Sequence, residues 1–201
     1  MFTIRRLFFL ALGLAPWVLL PGNAAATNLV TNGGFEINDA CTQPTGGFCG
    51  WTVNDPSPIS IDFTSLFPHS GNSAAILGTA GTDGTLSQTL TTLPGMLYDL
   101  EFWLANDNGI SPFPNHFAVS WDNTPLYDVT NVDSFSYTYF KFSVIGTGSD
   151  TLLFAAQNDN GFFFLDDVSV QVPEPASALL AGLGGVLLGA MRRRPRPHRL
   201  T

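Results

Sequence analysis

Between Tyr98 and Val170, apolar and polar residues change places at almost every step. Tyr98, Leu100, Phe102 and Leu104 alternate with Asp99, Glu101 and Trp103, and Phe117, Val119 and Trp121 alternate with His116, Ala118 and Ser120. Phe140, Phe142 and Val144 alternate with Tyr139, Lys141 and Ser143; Leu152 with Phe154, and Phe162, Phe164, Val168 and Val170, continue the pattern. A period of two sends successive side chains to opposite faces, so each run predicts a half-buried strand. Turn clusters separate the runs: Pro94-Gly95, Asp122-Asn123-Thr124-Pro125 and Gly146-Thr147-Gly148. No stretch of the central region keeps a helical period. Many short strands at regular spacing predict an all-β fold, a jelly-roll β-sandwich.

The two ends break this pattern. Arg5 and Arg6 precede an apolar run from Leu7 to Leu20, then Pro21, Gly22 and Ala24-Ala25-Ala26. Basic start, apolar stretch and small-residue cleavage site, in that order, predict a signal helix over residues 1–26, handled by the Sec export machinery and removed after Ala26. A second uncharged apolar run spans Ala176 to Met191, followed by Arg192, Arg193, Arg194, Arg196 and Arg199. Sixteen helical residues reach only about 24 Å against a hydrocarbon core of roughly 30 Å. The Gly-rich run therefore predicts a marginal transmembrane helix. Its arginines stay cytoplasmic and leave the domain outside. An amphipathic helix docked on the domain would need a polar face, which Leu179 to Met191 does not have. The expected division is signal 1–26, sandwich 27–172 and tail 173–201.

Stripping the ends changes the charge picture. Of eight basic residues only Lys141 lies in the central region, against fifteen of the sixteen acids, a net charge of −14 where the whole chain carries −8. Such a surface repels phosphates and excludes nucleic acid as a partner. It makes divalent cations plausible partners, although solvated acids also simply keep an exported protein soluble. Cys41 and Cys49, the two cysteines, stand eight positions apart in a Gly/Pro/Thr-rich stretch. In an oxidising compartment a disulfide is their expected state; no histidine is near enough to favour a metal, and a redox motif needs closer spacing.

Val172-Pro173-Glu174-Pro175, the short Gly-rich apolar run and the arginine cluster together resemble the PEP-CTERM sorting signal. The resemblance covers about the last thirty residues, with Pro173, Glu174, Pro175, Arg192, Arg193 and Arg194 as the sorting motif. It implies recognition by an exosortase-type membrane protease and cleavage near Pro173 to Pro175. Delivery would be to the cell surface or an extracellular polysaccharide matrix.

A second resemblance covers nearly all of the domain. Asn28-Leu29-Val30-Thr31-Asn32-Gly33-Gly34-Phe35-Glu36, then Gly50-Trp51, looks like the opening of galactose-binding-like jelly rolls found in carbohydrate-binding modules. Leu86-Ser87-Gln88-Thr89-Leu90, Pro94-Gly95, Tyr98 and Phe102 resemble their central strands, and Leu165-Asp166-Asp167-Val168-Ser169-Val170 their closing strand. In such modules a structural calcium ion joins the first and last strands. Carried over, this implies a metal at Glu36 and Asp166, with backbone carbonyls around Asn32 to Gly34. Asp166 is in phase with Phe162, Phe164, Val168 and Val170, which are expected in the core, and the domain holds no arginine to pair with it. A calcium ion would resolve that conflict; so would backbone amides, or a solvated rim.

For sugar binding, Tyr137 and Tyr139 run out of phase with Phe140 and Phe142 and face away from the core. Trp121 precedes a turn, and Phe113 and His116 border a Pro-rich loop, so these five are the candidate ligand-binding residues. Outer aromatics also cover neighbouring strands, and Trp51 and Trp103 read as packing residues. The repeated Asn106-Asp107-Asn108-Gly109 and Asn158-Asp159-Asn160-Gly161 reads as a pair of tight turns, because a calcium loop needs more acids and a closing Glu.

Catalysis has little support. The chain has no Gly-x-Ser-x-Gly elbow, His69 and His116 sit in unrelated contexts, and no Cys/His cluster has zinc spacing. Nothing in the spacing of the carboxylates favours a glycosidase pair. A non-catalytic protein is expected: a module retained by binding extracellular polysaccharide, or a structural or adhesive surface protein without a sugar site.

Overall fold

The computed structural model describes residues 27–37, 48–56, 61–107, 114–159 and 161–173. The signal segment, Cys41, Phe113 and the tail from Glu174 onward lie outside the described residues. Ten strands form two five-stranded sheets: β1 (Thr52–Asn54), β2 (Ile61–Thr64), β3 (Ala74–Leu77), β4 (Gly84–Thr91), β5 (Leu97–Asn106), β6 (Asn115–Trp121), β7 (Thr124–Thr130), β8 (Phe135–Ile145), β9 (Ser149–Asn158) and β10 (Phe163–Gln171). One sheet runs β1-β4-β9-β6-β7 and the other β2-β3-β10-β5-β8, every pairing antiparallel. The described residues contain no helix. The architecture is an all-β jelly-roll sandwich.

The alternation explains the core. Leu100, Phe102 and Leu104 of β5 face Phe117 and Val119 of β6, Leu152 and Phe154 of β9 and Leu86 of β4 across the gap between the sheets. Phe102 and Phe154 meet edge to face, ring centroids 5.3 Å apart, and Phe117 lies 5.2 Å from Phe163. Each buried aromatic or leucine withdraws enough apolar surface to contribute about 1.5–3 kcal/mol.

One phase assignment is corrected. Phe163 and Leu165 of β10 enter the core, whereas Phe162, just before the strand, is exposed and Phe164 faces outward, covered by Phe67. The cause is a bulge. Asp166 pairs with Trp103 and Ser169 with Glu101, so the strand carries one extra residue, and Asp167 adopts φ 51° to absorb it. Below the bulge Val168 and Val170 face inward as expected. Asp166 therefore belongs to the outer face of its sheet.

The opening segment clasps this bulge. The Val168 amide donates to the Gly33 carbonyl at 2.9 Å, and a Cβ at Gly33 would lie 1.9 Å from the Val168 carbonyl oxygen, so only glycine fits. Phe35 follows with φ 55°, a strained conformation for an aromatic residue, and is fully buried against Trp51 with centroids 5.7 Å apart. Trp51 is thus a packing residue, as its sequence context predicts. Asn106 and Asn158, the first residues of the two Asn-Asp-Asn-Gly copies, close β5 and β9 and meet between the two sheets. The Asn158 side-chain amide donates to Asn106 Oδ1 at 3.0 Å, and Asp107 Oδ1 accepts the Phe162 amide at 2.6 Å.

Candidate functional site

On the outer face of the β2-β3-β10-β5-β8 sheet, the polar half of the alternation lines up across strands. Trp103 of β5 pairs with Tyr139 of β8, Glu101 with Lys141, and Asp99 with Ser143. Trp103 and Tyr139 have ring centroids 5.5 Å apart, and Tyr139 keeps 45% of its surface exposed. Lys141 is shared between Asp99 and Glu101, 2.8 Å from each. Those hydrogen bonds, Asp99 first, push its ammonium well above the usual lysine range.

The loop between β2 and β3 closes one side of this strip. His69 stacks on Trp103 with centroids 3.9 Å apart and planes 16° from parallel, and Tyr137 meets His69 edge-on at 5.1 Å. Phe67 covers Phe164 at 5.5 Å. The Tyr137 hydroxyl donates to the Phe67 carbonyl at 2.7 Å. Burial, then the charges of Asp166 and Asp167, raise that phenol above its ordinary value and keep it a donor. Beyond Tyr137, Phe67, Ala105, Asn106, Asp107, Phe135, Ser136 and Phe164 line a cleft of ≈ 280 Å³.

Three carboxylates hold the loop. Asp166 Oδ2 accepts the amides of His69 (2.8 Å) and Ser70 (3.1 Å), and its Oδ1 accepts the amide of Asp167 (2.7 Å). Asp167 accepts the Ser70 hydroxyl (2.7 Å) and lies 2.6 Å from His69 Nδ1. Glu36 Oε1 accepts the amides of Asn72 (2.7 Å) and Ser73 (2.9 Å). Asp166 is fully buried, and burial pushes its carboxyl up to about 6 against the pull of these amides. Its three amide bonds satisfy the buried group from within the chain.

For a metal, the same residues give a mixed answer. Asp166, Asp167 and Glu36 converge around Gly34, where a Cβ would stand 3.7 Å from Asp167 Oδ1, 3.9 Å from Glu36 Cγ and 4.0 Å from Asp166 Oδ1. The two aspartates offer hard oxygen donors of the kind calcium takes, whereas Glu36 shows Gly34 its Cγ and turns its carboxylate to the amides of Asn72 and Ser73. Yet among the described residues no three His, Cys, Asp or Glu side chains are arranged as a metal-binding group. Asn32 shapes the corner: its carbonyl accepts the Phe35 amide and the Trp51 indole N–H, each at 3.2 Å, and its side chain bonds the Ile37 backbone.

Of the five residues predicted to bind a ligand, the structure brings together Tyr137 and Tyr139. Trp121 lies in the core, its indole donating to the Ile145 carbonyl at 3.1 Å. His116 is on the other sheet, 2.8 Å from Asp83 through Nδ1 and 3.2 Å from Asp128 through Nε2. Phe113 lies outside the described residues. Sequence reasoning missed Trp103, although its phase with Asp99 and Glu101 already placed it on the outer face. It also missed Phe67 and His69, which sit in a loop with no periodic signal.

With this geometry in view, three comparisons bear on the chain. The family model described as the PEP-CTERM protein-sorting motif matches residues 171–194, so the chain carries that motif. The motif implies export, C-terminal membrane anchoring and exosortase processing. Among solved structures, the enzymatically active domain of bacteriophage CBA120 tailspike protein 4 is 15% identical over 72% of this chain and 21% of that one, with a TM-score of 0.50. A carbohydrate-binding module, TmCBM61, solved in complex with β-1,4-galactotriose, is 17% identical over 72% of this chain and 97% of that one, TM-score 0.48. A family 16 carbohydrate-binding module is 16% identical over 71% and 99%, TM-score 0.46. At 15% identity, what the chain shares with the tailspike domain is a fold, not an activity or a ligand. No curated protein sequence matches the chain.

Proposed function

We propose that the protein is a non-catalytic glycan-binding surface protein, sorted by an exosortase-type protease and retained in extracellular polysaccharide. The observation that carries this reading is the open Tyr139 ring beside Trp103, flanked by hydrogen-bonding carboxylates and leading into the cleft at Phe135 and Phe164. A sugar ring has an apolar C–H face and a polar edge. The aromatic strip takes the face, and Asp99, Glu101 and Asp107 accept from the hydroxyls. Affinity electrophoresis of residues 27–172 through gels containing neutral, anionic and cationic polysaccharides tests it. Retardation by one polymer, abolished in Tyr139→Ala, is the expected result. Unretarded migration in every gel would leave the structural or adhesive reading.

The same reading includes two supports for the domain. A calcium ion at Glu36 and Asp166, with backbone oxygens around Asn32 to Gly34, would neutralise carboxylates that have no cationic partner and tie the opening segment to β10. The Asp166 and Asp167 carboxylate oxygens beside Gly34 favour it. A Cys41–Cys49 disulfide would fix the segment that leads into Trp51 and β1; buried Cys49 and the exported destination favour it.

A further inference from the structure

The chain enters and leaves the sandwich at one end. The Leu29 amide donates to the Val170 carbonyl at 2.8 Å, and the Val170 amide to Asn28 Oδ1 at 2.9 Å, so residue 27 emerges beside the end of β10. Gln171 pairs with Asp99, which places Val172 and Pro173 alongside the start of β5. From Pro173 to Ala176, the first residue of the apolar tail run, is three residues, at most about 11 Å of extended chain. A tail inserted in a bilayer therefore holds this end of the domain against the lipid surface.

That end is apolar. Leu97 and Ile145 are cross-strand partners on the outer face, 46% and 60% exposed, and Leu93 in the β4–β5 turn is 60% exposed. Met96 and Val172 are exposed beside them. The turn that presents them is ordered: the Leu93 amide donates to the Tyr98 hydroxyl at 2.9 Å, the Gly95 amide to the Gly146 carbonyl at 2.8 Å, and the Gly146 amide to the Met96 carbonyl at 2.8 Å. Among the described residues the turns at this end carry two acids, Asp122 and Asp150, and Asp150 is fully buried among Thr92 and Thr147. The next carboxylates on the same face, Asp99 and Glu101, are both paired with Lys141.

We propose that this end is a membrane-contacting face. While the tail spans the bilayer, Leu93, Met96, Leu97, Ile145 and Val172 enter the interfacial layer of the outer leaflet and add to the hold of a tail too short to anchor firmly. The proposal rests on the membrane anchoring that the sorting motif implies. It gives the domain a polarity. β5 runs about 30 Å from Leu97 to Asn106, so the cleft at Asn106, Phe135 and Phe164 points away from the lipid, toward extracellular polymer. Proteolytic removal of the tail then leaves only a weak apolar contact, and the domain comes free.

Hydrogen–deuterium exchange of the full chain in phosphatidylcholine vesicles tests this, beside a full chain with a fifteen-residue Gly/Ser spacer inserted after Val172. Amides of residues 93–97 and 145–148 should exchange about tenfold more slowly in the unmodified chain, with residues 78–84 at the far end unchanged. The triple variant Leu93→Ser, Leu97→Ser, Ile145→Ser should still float with the vesicles but lose that protection. Equal exchange in the unmodified and spacer chains, with both floating, would overturn the membrane face alone. A full chain that does not float with vesicles would overturn the anchoring on which it rests, and the face with it.

Discussion

The imidazole of His69 lies flat on the indole of Trp103, centroids 3.9 Å apart and planes 16° from parallel. This stack joins a loop without regular structure to a central strand and sets one wall of the aromatic strip. Asp167, 2.6 Å from Nδ1, holds the ring in that orientation. His69→Ala should uncover Trp103 and shift tryptophan emission to the red, with a small loss of stability, about 1 kcal/mol by urea denaturation. Unchanged emission would mean that the stack is not maintained in solution.

Asp166 organises the same loop through its amide bonds. Asp166→Ala leaves the amides of His69, Ser70 and Asp167 without their acceptor, and should cost about 2–4 kcal/mol in urea unfolding. Limited proteolysis should then cut first between residues 65 and 73. Asp133→Ala, at an exposed position between β7 and β8, is the control and should stay within about 0.5 kcal/mol.

Calcium should raise the thermal midpoint of residues 27–172 relative to the same protein in chelator. Saturation at about 100 times the dissociation constant corresponds to about 2.7 kcal/mol. Glu36→Gln should remove the difference while leaving the domain folded. Identical midpoints with and without calcium would assign the three carboxylates to loop clamping alone.

On the opposite sheet, His116 lies between Asp83, in the turn before β4, and Asp128 of β7, with Gln157 and Thr130 as its cross-strand neighbours. Burial opposes the charged ring, but the two carboxylates outweigh it and raise its pKa above 6.5. A raised folded-state value means that folding favours the protonated ring. The stabilisation is complete below pH 6.5 and is lost as pH climbs through the folded value. His116→Gln should lower the melting temperature by about 2–4 °C at pH 5.5 and much less at pH 9. An equal loss at both pH values would show that the ion pairs contribute nothing.

Much of this architecture is legible in the sequence because it rests on period-two alternation. The runs at Tyr98–Leu104, Phe117–Trp121 and Phe140–Val144 fall inside β5, β6 and β8 with the expected faces inward. Alternation fails where the backbone adds a residue. The bulge at Asp166–Ser169 moves Phe162 and Phe164 to the outside, and a single Asp at φ 51° carries no pattern that announces it. The outward tyrosines can be read from phase alone, and Trp103 carries the same signal, although it also reads as a packing residue. Trp121 stands before a turn, but its alternation with Ala118 and Ser120 points inward, and the structure follows the alternation. His69 and Phe67 reach the strip through loop geometry set by Asp166, Asp167 and Tyr137, contacts 70 to 98 positions apart in the chain.

Tryptophan fluorescence during titration with the retarding polysaccharide tests glycan binding on the outer face most directly. Of the three tryptophans in residues 27–172, Trp51 and Trp121 are buried in the core, so Trp103 is the indole positioned to report. A saturable change in emission that disappears in Trp103→Phe, with affinity falling about tenfold or more in Tyr139→Ala, is the expected result. Binding that leaves emission unchanged, or a change that persists in Trp103→Phe, would place the glycan elsewhere and contradict the assignment of this face.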